Sequence, residues 1–86
     1  MVGYAACYEA LAEECTELAH AAQKMARCLR GDNPVGSPIL NYQNALKEEY
    51  TDVVSCAIAL GLQPNADISV WKWGRHKKRL EEMEGK

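Results

Sequence analysis

The sequence predicts an all-α fold, a three-helix chain that forms a helical bundle and completes it by homo-oligomerisation. Three observations point there. Apolar residues recur in steps of three and four through two long segments, the spacing of one helix face. The alternation that marks strands is missing, and the interruptions are built from Gly, Pro, Asn and Asp. At 86 residues the chain is a single domain spanning 1–86, one that buries only about 60–65% of its unfolded surface. A core that thin needs very efficient packing, a cross-link or a second copy.

The first helix is expected from about Tyr4 to Leu29, with Tyr8, Leu11, Cys15, Leu18, Ala22, Met25 and Leu29 along its apolar face. It should stop where Arg30-Gly31-Asp32-Asn33-Pro34 begins, and Gly36-Ser37-Pro38 prolongs the turn. Asn41 is then placed to cap a second helix over roughly Tyr42 to Leu60. Leu46, Tyr50, Val53, Val54, Ala57, Ile58 and Leu60 form its buried side. Gly61 and Pro64 end it, and a third helix starts near Asn65 or Asp67 and runs into Glu84. That third helix has a less regular apolar face, because basic residues interrupt Ile68, Trp71, Leu80 and Met83. The loop after the first helix is long enough to turn the second back antiparallel to it.

Composition narrows the class. The four cysteines form no CxxC pair, and three fall within apolar helical patterns, as expected of small buried hydrophobes in a reducing cytoplasm. No apolar run approaches the roughly 20 residues that cross a bilayer, and the first residues lack the layout of a signal peptide. The reading is therefore cytoplasmic, with no membrane partner. Formal net charge is −2, which argues against a general nucleic-acid binder. The charge is unevenly spread, acidic before Asp52 and basic from Lys72 to Arg79, as suits a phosphate-bearing ligand held with metal ions. Absent Phe and abundant Ala favour helices that approach closely.

The chemistry-bearing pattern is two pairs of carboxylates. Glu13-Glu14-x-x-Glu17 lies on the first helix and Glu49-x-x-Asp52 on the second. A spacing of three places each pair on one side of its helix, close enough to share an ion. At about 100° per residue, Glu14 falls roughly 70° and Glu17 roughly 130° from the first helix's apolar centre. Glu49 and Asp52 fall roughly 80° and 140° from that of the second, in the same rotational sense. In an antiparallel pair these flanks turn to one side, so Glu14, Glu17, Glu49 and Asp52 converge on a groove beside the seam. Such a cluster repels itself without a cation, and hard oxygen donors favour Mg2+, with Mn2+ as the substitute.

These motifs, read in order, resemble the MazG-like, all-α nucleoside-triphosphate pyrophosphatase superfamily in its short phage and bacterial form. Ala12-Glu13-Glu14-Cys15-Thr16-Glu17-Leu18 is similar to the family's E-E-x-x-E element, and Lys47-Glu48-Glu49-Tyr50-Thr51-Asp52-Val53-Val54 to its E-x-x-D element. Leu18-Ala19 through Lys24 and the Arg27-x-x-Arg30-Gly31-Asp32-Asn33-Pro34 loop extend the likeness over roughly residues 4 to 80. The resemblance implies a Mg2+-dependent hydrolase that cleaves NTP or dNTP to the monophosphate and pyrophosphate by metal-activated water. It implies Glu14, Glu17, Glu49 and Asp52 as metal-binding and catalytic residues, and homodimers or homotetramers as the assembly. Glu13 points away from the seam and is ranked as a supporting residue or dimer contact. Two departures stand out. The interval between the motifs is longer than in compact members, and Lys72-Trp73-Gly74-Arg75 keeps the family's Lys but lacks its Asn.

Other residues carry two readings each. Lys72, Arg75 and Arg79 form a stripe on the third helix that either grips a triphosphate or pairs with Glu81, Glu82 and Glu84. Lys24 lies two turns beyond Glu17 on the same side, within reach of a phosphate. Trp71 and Trp73 serve base stacking or an interface, and Tyr4, Tyr42 and Tyr50 share that ambiguity. Glu17-x-x-His20 matches half of a di-iron carboxylate pattern, but the second Glu-x-x-His is replaced by Glu49-x-x-Asp52. A helical dimerisation or adaptor module with merely solvated acidic flanks is the non-enzymatic alternative.

Overall fold

The computed structural model describes residues 3–32 and 37–85. It contains three α-helices: α1 (Tyr4–Arg30), α2 (Ile39–Ala59) and α3 (Ala66–Glu84). Asn33, Pro34 and Gly36, expected to punctuate the first turn, lie outside the described residues.

Local chemistry sets the helix ends. Gly31 takes φ 79°, a left-handed conformation that costs glycine little. From there its N–H donates to Cys28 O and that of Asp32 to Arg27 O, closing α1 with paired reverse bonds. Gly61, at φ 72°, does the same for α2, with Gly61 N–H donating to Ile58 O and Leu62 N–H to Ala57 O. The start of α2 differs from expectation. Pro38, at φ −58°, is the residue before the helix, and Asn41 N–H donates back to its carbonyl at 3.0 Å. The helix therefore begins at Ile39, three residues ahead of the expected Tyr42, because proline's fixed φ already suits a helix entry. At α3 the Asn65 side chain accepts from Ile68 N–H at 3.0 Å. Asn65→Ala should destabilise this helix by about 1 kcal/mol, seen as lost ellipticity on mild heating.

Only α1 and α2 pack together; among the described residues α3 packs on neither. The pair is antiparallel, since Glu14 meets Glu49 and Asp52 while Lys24 and Ala21 face Tyr42 and Ala45. The expected three-helix bundle is thus, within one chain, a two-helix hairpin with a free third helix. The radius of gyration is 16.0 Å, against about 12 Å for a compact domain of this length.

The hairpin also faces itself differently from the apolar pattern. Ala21, 8% exposed, is the one buried core residue among those described, flanked by half-buried Ala10, Glu14, Leu18, Met25 and Cys28. Across the seam Leu46, Glu49, Val53, Cys56 and Ala57 are half-buried. Residues expected inside lie outside: Tyr8 is 53% exposed, Leu29 70%, Tyr50 60% and Ile58 69%, and Cys15 and Ala22 are exposed as well. By helix geometry each seam is rotated by roughly 50° from its apolar centre, toward the carboxylates. The cause is side-chain size. Ala10, Ala21, Cys28, Cys56 and Ala57 let the backbones approach closely, whereas Tyr8, Tyr50 and Ile58 would hold them apart. Both rotations run in one sense, so the displaced apolar strips emerge together on the side away from the carboxylates.

Candidate metal centre

The rotation of the seam decides where the acidic residues sit. Glu14 lies close to the centre line of α1's contact face and Glu49 roughly 40° off that of α2. Both are half-buried; Glu17 and Asp52, farther round, are exposed. Glu14, Glu49 and Asp52 each present a carboxylate oxygen, and these lie within 4.8 Å of one another. Glu17 stands outside that trio but lines a neighbouring recess of about 120 Å³ with Glu49, His20, Ala21, Lys24 and Tyr42. Glu13 is exposed, away from the seam.

The surroundings leave these oxygens to carry the chemistry. Thr16 and Thr51, inside the two motifs, turn their hydroxyls back to donate to Ala12 O at 3.1 Å and Lys47 O at 2.8 Å. Octahedral magnesium spans about 4.2 Å between opposite ligands, slightly less than the widest separation the trio allows. All-oxygen donors of this kind favour magnesium or manganese over zinc.

Like charges crowd Glu49. Partial burial at the seam, then the carboxylates of Asp52, Glu17, Glu14 and Glu48, hold its pKa above the ordinary 4.5. A raised acid pKa means the folded chain holds a proton that the unfolded chain has released. Stability of the metal-free protein should therefore fall as pH rises from about 4.5 through the raised value. Denaturation midpoints in chelator, measured across this window, should show the decline. Glu49→Gln should flatten it, and added Mg2+ should reverse it.

Of the remaining site candidates, Lys24 comes near this centre and those on α3 do not. Lys24 is exposed and lines the recess beside Glu17. Lys72 and Arg75 lie on the unpacked α3, in a separate shallow groove with His76 and Arg79, and Arg75 stacks 4.9 Å from the Trp71 ring centroid. Trp71 and Trp73 are both exposed, and the four cysteines are free thiols, Cys15 exposed and the others half-buried. Tyr42, open by residue type to base stacking or an interface, walls the recess from α2 beside Glu49; Ala45, also there, carries no chemical signature that spacing alone reveals. No helix among the described residues is long and apolar enough to cross a membrane. No family model matches the chain, and neither the curated proteins nor the solved structures contain a match.

Proposed function

We propose that the chain is a Mg2+-dependent nucleoside-triphosphate pyrophosphohydrolase of the MazG-like type, converting NTP or dNTP to the monophosphate and pyrophosphate. The observation that carries this is the convergence of Glu14, Glu49 and Asp52 from two helices, at positions matching the two motifs that resemble that superfamily. Carboxylates crowded this closely at a helix seam oppose folding unless a cation joins them. Bound magnesium would neutralise polyphosphate charge and lower the pKa of a coordinated water. Glu14 and Glu49, the less exposed pair, would hold the ion, with Asp52 closing the set. Glu17, exposed beside them, is the carboxylate available to take the proton of the attacking water. Attack by water at the α–β phosphate junction would break the phosphoanhydride bond there, the water's oxygen joining one product and the bridging oxygen leaving with the other, to give the monophosphate and pyrophosphate.

The active form in this reading is a homodimer or homotetramer in the cytoplasm, where the free thiols stay reduced. One chain exposes 7251 Å² of solvent-accessible surface. A folded monomer of 9.6 kDa exposes about 5,100 Å². The excess, about 2,000 Å², exceeds the roughly 800 Å² that each partner contributes to a standard interface. A second copy covers the apolar flank, and oligomerisation is also what would bring the Lys72 and Arg75 of α3 to a substrate. The test is pyrophosphate release by the full chain, with and without Mg2+, across the standard NTPs and dNTPs. Metal-dependent release is expected; no release from any of them would sink the assignment.

A further inference from the structure

Between Leu18 and Gly31 the sequence contains no Asp or Glu, while His20, Lys24, Arg27 and Arg30 all lie there. Their spacing is ordered. Lys24 follows Glu17 by seven residues and Arg27 follows His20 by seven, so each pair shares a strip of helix two turns apart. His20 and Lys24 line the recess that Glu17 and Glu49 also wall. The same two residues line a second, shallower groove of about 380 Å³, together with Gln23, Arg27 and Arg30. The two are therefore continuous, running from the carboxylates onto a cationic strip along α1. At 1.5 Å per residue, Lys24 lies about 10 Å beyond Glu17 along the axis and Arg27 about 15 Å.

We propose that this strip binds pyrophosphate, and so holds the departing phosphates of the substrate, with Lys24, His20 and Arg27 as the contacting residues. The inference rests on the pyrophosphohydrolase reading and adds a direction to it. The nucleoside lies on the carboxylate side, and the leaving group points toward the C-terminal end of α1. Arg27 offers a planar fork suited to two phosphate oxygens, and Lys24 a point charge at the mouth of the strip. Gln23 and the His20 ring supply further N–H donors. Arg30, a turn further on, lies past the length of a diphosphate. The helix dipole accounts for basic residues in the last turn of α1, Arg27 and Arg30. It does not account for His20 and Lys24, two to three turns from that end, or for their shared groove.

Calorimetric titration of magnesium pyrophosphate into the full chain tests this directly. Arg27→Gln and Lys24→Gln should each weaken binding about tenfold, the loss of a charge-assisted contact. Arg27→Lys should recover part of it, and Lys78→Gln on α3 should leave it unchanged. Circular dichroism on each variant separates lost binding from lost helix. Absence of binding to the wild type, equal affinity in Arg27→Gln, or the same loss in Lys78→Gln overturns the proposal. Binding is read without turnover, so the two readings fail separately. A chain that binds pyrophosphate through Arg27 but releases none from nucleotides keeps the groove and loses the hydrolase. Turnover with unaltered pyrophosphate affinity in Arg27→Gln does the reverse.

Discussion

Glu49→Ala is expected to lower the proposed Mg2+-dependent pyrophosphate release by at least about 100-fold, because loss of a direct ligand should exceed the 10–100-fold cost of losing an outer partner. Glu49 is chosen because four other carboxylates act on it and it is half-buried at the seam. Removing it leaves Glu14 and Asp52 as an incomplete pair of donors. Helicity should survive, since alanine is the better helix former and the substitution relieves repulsion. In chelator the variant should even be the more stable protein above the ordinary carboxylate pKa. Loss of activity with gain of metal-free stability is a signature that a merely structural carboxylate does not produce. Activity assays and chelator-treated melting curves measure the two halves. Turnover near the wild-type level would remove Glu49 from the metal centre.

Tyr8→Glu combined with Ile58→Glu is expected to break the proposed assembly and to lower the melting temperature. The two positions sit at the same level of the antiparallel pair, since Glu14 is opposite Glu49 and Asp52 while Lys24 is opposite Tyr42. Both side chains belong to the apolar strips displaced from the seam, and both are more than half exposed within one chain. Full burial of such a side chain is worth about 1.5–3 kcal/mol relative to exposure. Two charges at each of two symmetry-related patches therefore cost several times that in a dimer. Sedimentation should shift from an oligomer to a monomer at micromolar concentration. A control on a face of α1 turned away from that strip, Glu9→Gln, should leave the oligomer in place. A wild-type chain that sediments as a stable monomer would contradict the area excess that motivates the assembly.

The existence and order of the three helices were legible because their signals are local. Gly31 and Gly61 mark stops through a backbone conformation other residues resist, and Asn65 caps through its own side chain. The entry to α2 was less legible, since Asn41 is a residue type suited to capping and Pro38 reads as part of the turn, yet the backbone turns into the helix directly after Pro38. The pairing of Glu14 with Glu49 and Asp52 was likewise readable in outline, because spacing of three and antiparallel order constrain which flanks can meet.

What the sequence determines by itself is the helical content, the caps and the grouping of carboxylates on matched flanks, all consequences of short-range geometry and residue chemistry. What only the tertiary structure decided is the rotation of the two faces. An apolar arc names every residue able to be buried; it does not say which part of that arc faces the partner helix. Alanine and cysteine at the seam permitted a closer approach than tyrosine and isoleucine, so the contact moved toward the acidic flank. That rotation draws Glu14 and Glu49 inward and leaves Tyr8, Tyr50 and Ile58 for another surface, while among the described residues α3 packs on neither helix.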